Sequence, residues 1–221
     1  MKKLLSALAL TLLLTACGGK TVRFSLTFDT KDAERVTKLT EAVQRTIEGR
    51  VLAKEKKLIA QSVRKDGDAT MLDVTVGDEE MAKLLQDSLA VPFTMAIMKQ
   101  VDSGQGDLIS EKYGEFKETG IVTKHVDWIT AGITKVTGAE QGAVVIQFTK
   151  EGEALLKDMF AKNRGSVIGI FVRGQLMSKK TIDATDKQTS ISIEGIPNGA
   201  LAAAFADDVN VGLHVKFTPA P

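Results

Sequence analysis

The stretch Thr21–Arg50, TVRFSLTFDTKDAERVTKLTEAVQRTIEGR, opens the longest interpretable pattern in the chain. Thr21–Phe28 alternates polar and apolar side chains, which predicts a strand with one buried face. Asp29 or Thr30 is placed to cap a helix, and the apolar residues that follow recur at intervals of three and four. Those apolar residues are Ala33, Val36, Leu39, Val43 and Ile47. The stretch therefore predicts a strand followed by an amphipathic helix.

The next fifty residues extend this pattern into a complete lobe. Leu58–Arg64 and Thr70–Val76 are predicted strands, joined by an Asp-Gly-Asp turn. Asp78 is placed to cap a second helix, and Pro92–Met98 is predicted to be the closing strand. The order β-α-β-β-α-β is the split βαβ arrangement of ferredoxin-like folds. We therefore expect a ferredoxin-like base lobe over residues 22–100.

The second half of the chain predicts another α+β lobe, over residues 116–217, after a polar connection at residues 101–115 that contains DSGQGD. Its pattern is a strand, a helix, two strands around Arg173-Gly174, a further strand, an alanine-rich helix and a last strand, VGLHVKFT. The helices between the strands are too few for a doubly wound parallel sheet. The predicted fold class is α+β in two lobes.

The N-terminus carries a lipoprotein signal. A short basic region, Met1–Lys3, precedes the apolar run Leu4–Ala16, which is too short to span a bilayer but suits a signal peptide. Leu14-Thr15-Ala16-Cys17 matches a lipobox, with cleavage between Ala16 and Cys17 and lipid, including palmitate, on the cysteine. The alternative is an ordinary secretory signal beside an unrelated cysteine. We predict a signal peptide at residues 1–16 and a lipidated tether at residues 17–21.

This signal predicts the location and one partner of the protein. Cys17 would anchor the chain to a lipid bilayer of the cell envelope, on the extracytoplasmic side, and the choice between inner and outer membrane stays open. Because the chain has a single cysteine, it forms no internal disulfide. Loss of Lys2 and Lys3 with the signal lowers the net charge from +1 to −1, which does not favour nucleic-acid binding.

Four segments of the second half form a recognisable series. They are FKETGIVTKHVDWITA (residues 116–131), VVIQFTKEGEALLKDMFAKNRGSVIGIFVRGQLMSKKTI (144–182), ISIEG (191–195) and GALAAAFADDVNVGLHVKF (199–217). Together they resemble the large periplasmic domain of SecD, the export subunit that works with SecF beside the bacterial protein-conducting channel. The first lobe is similar to the βαββαβ base of that domain. The resemblance implies a SecD-head-like second lobe and a final strand, Val211–Phe217, that returns to the base.

The chain departs from the SecD pattern in three places. Arg173-Gly174 stands where the family has Asp-Gly, the Gly-rich opening strand is missing, and no membrane-spanning segments follow Phe217. In SecD and SecF such segments carry the proton pathway that drives the conformational cycle. We therefore expect a chain that handles its substrate without that motor.

Catalytic and metal-binding patterns are not evident in the sequence. His125 and His214 are far apart and are more typical of structural residues than of a metal site. The acidic pairs at 79–80 and 207–208 lie at predicted helix ends, where capping and the helix dipole account for acidic residues. The mixed-charge run 54–57 is interpreted as a solvated linker, and contact with anionic lipid headgroups is the alternative. We expect no enzyme activity, no catalytic or metal-binding residues and no cofactor beyond the lipid.

The remaining prediction is a binding surface. The resemblance implies non-catalytic binding of secreted polypeptides or of the Sec translocon, in connection with protein export, and it places Trp128, Phe171, Arg173 and Met177 in the lobe that would bind. Each of these side chains has an alternative role in the core, because alternate residues of a strand fill a sheet interior. The alternative functions are an adaptor or small-ligand-binding lipoprotein that reuses the fold, and an enzyme whose site no motif reveals.

Overall fold

A computed structural model describes residues 19–67, 69–136, 139–186 and 189–220. The predicted signal peptide and Cys17 lie outside these residues. The elements follow in the order β1 (Lys20–Phe28), α1 (Ala33–Leu52), β2 (Leu58–Asp66), β3 (Ala69–Val76), α2 (Glu79–Ala90), β4 (Met95–Val101), β5 (Leu108–Ser110), β6 (Gly114–Val122), a 3₁₀ turn (Thr123–His125), β7 (Val126–Val136), β8 (Ala139–Phe148), α3 (Lys150–Lys162), β9 (Val167–Val172), β10 (Gln175–Thr181), β11 (Ser190–Ile196), α4 (Gly199–His214) and β12 (Val215–Ala220). The predicted α+β class is confirmed.

The base lobe contains the first predicted elements. β1, α1, β2, β3 and α2 follow in the predicted order, and the base sheet has the strand order β12-β1-β3-β2 with antiparallel pairs. Buried side chains alternate along β3, as expected for a sheet covered by helices on one face. Asp78 caps α2 by accepting from the Met81 N–H, as predicted. The cap of α1 is Asp32, whose carboxylate accepts from the Arg35 N–H, and the prediction of Asp29 or Thr30 was wrong.

The closing strand of the base sheet also differs from the prediction. The segment predicted to close it, Pro92–Met98, instead contributes β4 to a five-stranded head sheet of order β10-β9-β4-β6-β5. Met95 and Ile97 are buried on one face of that sheet and Met98 on the other. A strand that is apolar on both faces suits a sheet covered on both sides better than the edge of the base sheet. The base lobe therefore does not extend to residue 100.

The edge position beside β1 is taken by β12, which pairs antiparallel from Phe28↔Val215 to Arg23↔Ala220. The return of the final strand to the base, which the resemblance implied, is therefore observed. Its predicted beginning at Val211 was wrong, because residues 211–214 are the last turn of α4.

The head lobe combines the head sheet with a small sheet of order β11-β8-β7. The predicted strands around Arg173-Gly174 are confirmed as β9 and β10, and both turn residues have positive φ, 49° and 76°. Two such residues are typical of a type I′ hairpin turn. Part of the predicted connection, Leu108–Ser110, is instead an edge strand.

Helix α4 joins the two lobes. Ala202, Ala206 and Val209 belong to the hydrophobic core of the head lobe, and Val211 belongs to the core of the base lobe. Ion pairs reinforce the junction, because Asp207 on α4 lies 2.6 Å from Arg45 Nε on α1. The base and head lobes therefore share one helix and are not connected by a flexible linker.

Candidate functional site

Two strand edges line a common groove on the head lobe. β10 is the last strand of the head sheet and β11 the last strand of the small sheet, and in the described part of the chain neither pairs with a further strand on its outer side. The groove consists of two adjoining cavities, with volumes of about 350 and 360 Å³. Both cavities are lined by Ser178 from β10 and by Ile193 and Glu194 from β11. We call this surface the β10–β11 groove.

One end of the β10–β11 groove is apolar. Met177 and Leu201 are 50% and 52% exposed there, and Ile193, Ile196 and Phe205 lie between them and the core. Met177 owes its position to a bulge, since the pairing of β10 with β9 shifts between Leu176 and Ser178. An extra residue in one strand re-aims its side chain. The bulge therefore presents a large apolar side chain beside an unpaired strand edge.

The other end of the groove is polar and balanced in charge. It is lined by serine and threonine residues and by two basic and two acidic side chains, Lys179, Lys180, Asp186 and Glu194. Lys180 Nζ lies 2.7 Å from Asp186 Oδ1, and both side chains are mostly buried. This end therefore offers polar contacts without a strong preference for acidic or basic ligands.

The other sheet edges carry features that discourage added strands. β5 has three residues, and β12 contains Pro219. β2 carries the charged side chains Arg64 and Lys65, as β10 carries Lys179 and Lys180 at its polar end, so charge alone does not distinguish these two edges. β7 is covered by α4, whose Asn210 accepts from the Ile129 N–H and donates to the Ile129 carbonyl, both at 2.8 Å. The apolar end of the β10–β11 groove has no comparable cover among the described residues.

The four binding residues expected from the sequence occupy three different environments. Met177 lines the β10–β11 groove. Phe171 is only 4% exposed and packs edge-to-face on Phe116, with ring centroids 5.0 Å apart, so its side chain belongs to an interior cluster. The structure therefore corrects the expectation of a shared surface, because neighbouring residues of one hairpin point to opposite faces of the sheet.

Trp128 and Arg173 lie at the junction of the lobes. Trp128 is half-buried and stacks on His214 with ring centroids 5.3 Å apart, and the Arg35 guanidinium lies 5.2 Å from the ring centre. Arg173 pairs with Asp208 on α4 and lies over the Phe93 ring at 5.0 Å. Neither side chain lines the β10–β11 groove. Of the four residues expected from the sequence, only Met177 lies in the groove. Leu201, which also lines it, was missed because it lies inside an alanine-rich helix.

The junction contains a cleft of about 490 Å³, lined by residues that include Arg50, Phe93, Arg173 and His214. Burial raises the pKa of Asp208, beside this cleft, but hydrogen bonds from Arg173 and Arg50 outweigh it and hold the pKa below its ordinary value. Asp208 pairs with both arginines, so its one negative charge offsets only one of their two positive charges. These three groups keep a net positive charge beside the cleft, which favours an anionic over a cationic small molecule.

The two histidines have structural partners. His125 Nδ1 accepts from the Val122 N–H, and its Nε2 lies 3.2 Å from Glu151. His214 Nδ1 lies 2.8 Å from Asp29 and its Nε2 2.7 Å from the Asp127 carbonyl. Within the described residues no three His, Cys, Asp or Glu side chains are grouped to hold a metal ion.

The described residues contain no helix that is both long and apolar enough to cross a membrane.

No protein-family model and no curated protein sequence matches the chain. Among solved structures it is similar to SecDF in a super-membrane-facing form (14% identity, TM-score 0.46) and to SecDF from Thermus thermophilus (12%, 0.48), covering 92% of this chain and 30% of each of those chains. A third match, to a structure titled as a membrane component SecDF that enhances protein export, has 15% identity and a TM-score of 0.46, and covers 90% of this chain and 98% of that one. Similarity at this level does not assign the chain to a family.

Proposed function

We propose that this protein is a lipoprotein of the cell envelope that binds extended polypeptide without catalysing a reaction. Its anchor would be the lipid on Cys17, added with cleavage after Ala16. The observation that carries the binding proposal is the β10–β11 groove, where two strand edges that have no strand partner among the described residues line one surface beside exposed apolar side chains.

The chemistry of a strand edge suits polypeptide that varies in sequence. An unpaired edge presents main-chain N–H and C=O groups, and an extended segment can add to it through hydrogen bonds that its own side chains do not determine. Met177 and Leu201 would contact an apolar side chain of that segment, while the polar end would remain compatible with hydrophilic residues. Such a site would accept many different polypeptides with modest affinity.

The connection with protein export rests on the resemblance of the sequence to SecD, and so does the choice of secreted polypeptides or the Sec translocon as partners. The competing function is an adaptor that binds one envelope protein, or a small ligand, through the same fold. These alternatives differ in how many partners the groove captures.

Photo-crosslinking in living cells tests the proposal. A photoreactive amino acid would replace Met177 or Leu201 in the groove, and Ile109, which is 73% exposed on β5, would serve as the control outside it. We expect positions 177 and 201 to capture a range of secreted chains and position 109 to capture few. Capture of one discrete protein would favour the adaptor, and equal capture at all three positions would exclude the groove as the site.

Two charge substitutions provide an independent test. Met177→Asp and Leu201→Asp place a carboxylate at the apolar end, and because both side chains are half exposed the fold should persist. We expect a crosslinking probe at Ile193, which lines both cavities of the groove, to lose most of its captured polypeptide. The matched control Ile109→Asp should leave capture unchanged.

The anchor has its own test. Cys17→Ser should leave an uncut precursor without lipid, visible by mass spectrometry and by its larger size on a gel. A variant that is still cut to the mature size and still fractionates with membranes would show that Cys17 is not the anchor.

A further inference from the structure

The described structure begins at one end of the base lobe, which we call the entry end. Gly19 lies directly against the side chain of Ile59, so that a β-carbon added at Gly19 would be 2.6 Å from Ile59 Cδ1. Lys20 and Leu58 are both paired with Val76, which places the starts of β1 and β2 beside the end of β3. The end of α1 lies there too, because only residues 53–57 connect it to β2.

The entry end exposes two large apolar side chains. Leu52, the last residue of α1, is 61% exposed, and Ile59 near the start of β2 is also exposed. Lys54 and Lys57 lie between them in the sequence and are exposed as well. Apolar side chains flanked by lysines, whose long stems carry the charge outward, are typical of surfaces that contact the membrane interface.

The charges of the entry end are balanced. Lys20 pairs with Glu79 at 3.3 Å, and Lys56 pairs with both Asp78 and Glu80. Lys54 and Lys57 lie on either side of the acidic residue Glu55 in the sequence. Since lysines and acidic residues nearly cancel, attraction to anionic lipid is weak, and the apolar side chains and the tether determine the contact.

We propose that the entry end rests on the bilayer, with Leu52 and Ile59 inserted at the interface. This inference rests on the lipidation of Cys17 proposed above. Gly19 is two positions after Cys17, so the chain from one to the other spans at most about 7 Å. The headgroup region on each side of a bilayer is about 5–8 Å thick. A lipid on Cys17 therefore brings the Gly19–Ile59 contact to the membrane surface.

This orientation places the far end of β1 away from the lipid. β1 runs away from the entry end for nine residues, about 26 Å at the usual rise per residue. At its far end Phe28 pairs with Val215, and the Asp29 N–H donates to the carbonyl of His214, the last residue of α4. Helix α4 packs on both lobes, because Asp207 pairs with Arg45 of α1 while Ala206 lies in the head core. The end of the base lobe that points away from the lipid is therefore the one where β1 meets β12 and the end of α4.

Fluorescence quenching tests the orientation on the full-length protein lipidated in cells. The lipid occupies the thiol of Cys17, so Leu52→Cys or Ile59→Cys provides the one free thiol for an environment-sensitive NBD label. Val91→Cys is the matched control, because Val91 is 65% exposed in the same lobe but lines the cleft at the far end beside Thr27. The proteins would be reconstituted in vesicles of phosphatidylethanolamine and phosphatidylglycerol, with or without brominated phosphatidylcholine.

We expect the NBD emission at positions 52 and 59 to shift to the blue on vesicles. Brominated lipid should quench this emission at least about twofold more than the emission at position 91, because only positions 52 and 59 reach the interface. We also expect little change in this quenching with salt or with the phosphatidylglycerol fraction. Protein that floats with vesicles but shows equal quenching at all three positions would overturn the orientation and leave the anchor standing. Protein that lacks the lipid mass and does not float would overturn the anchor, and this inference with it.

Discussion

The side-chain amide of Asn210 on α4 forms two hydrogen bonds with the main chain of Ile129 on β7, accepting from its N–H and donating to its carbonyl, both at 2.8 Å. The amide thus replaces part of a neighbouring strand at this edge of the small sheet. Because α4 also belongs to the base core through Val211, the same contact connects the packing of the two lobes.

Asn210→Ala should be strongly destabilising. It would leave the N–H and the carbonyl of Ile129 buried without partners, at a cost of about 2–4 kcal/mol in the free energy of unfolding. Urea denaturation measures this change. The control is Asn163→Ala, which removes one hydrogen bond to the Met159 carbonyl at the solvent-accessible end of α3 and should cost less than about 1 kcal/mol. Equal losses in the two variants would contradict the special role of Asn210.

The Asp208 cluster should make stability depend on pH. Burial raises the pKa of Asp208, but hydrogen bonds from Arg173 and Arg50 lower it below the ordinary value of 3.8. A carboxyl whose pKa is lower in the folded state contributes stability above the unfolded-state pKa, and this contribution is lost as pH falls through the folded-state pKa. We therefore expect the difference in unfolding free energy between the wild type and Asp208→Asn to be largest above about pH 5 and to shrink toward pH 2.

Urea denaturation over that pH range measures the difference. Asp158→Asn is the control, since the Asp158–Lys162 pair lies on the exposed surface of α3 and contributes little at any pH. A difference between the wild type and Asp208→Asn that stays constant from pH 6 to pH 2 would show that the two arginines do not act through the charge of Asp208.

Two glycine-to-alanine substitutions should change stability in opposite directions. Gly174 has φ 76° in the β9–β10 turn, and an alanine there would be forced into a left-handed conformation that costs about 1–2 kcal/mol. Gly49 lies inside α1, and apart from its chain neighbours and the helix's own backbone no described atom lies within 4 Å of an added β-carbon, so alanine should stabilise the helix by about 0.5–1 kcal/mol. Thermal denaturation of both variants checks the signs, and a stabilised Gly174→Ala variant would contradict the assigned turn.

Gly212 and Phe93 should be energetically coupled. A β-carbon at Gly212 would be 2.2 Å from Cδ2 of Phe93, so Gly212→Ala should destabilise by about 1–3 kcal/mol through overpacking. Phe93→Ala removes the obstructing ring. In a double-mutant cycle, Gly212→Ala should therefore cost much less in the Phe93→Ala background. Additive effects of the two substitutions would show that α4 relieves the contact by moving elsewhere.

The local structure could be predicted from the sequence because it depends on neighbouring residues. Alternation over Thr21–Phe28, the helical spacing that follows and the Arg173-Gly174 turn each predicted the element that forms. Hydrophobic periodicity records that one face of an element is buried, and capping and turn residues act within a few positions.

What only the tertiary structure decided is which element each apolar face contacts. Pro92–Met98 and the final strand have similar apolar content, yet β4 lies in the middle of the head sheet and β12 closes the base sheet. The β10–β11 groove likewise brings Met177 beside Leu201, from separate elements, while Phe171 of the same hairpin is turned into the interior. Burial is satisfied equally well by many partners, so one-dimensional periodicity cannot choose among them; packing of the whole chain does.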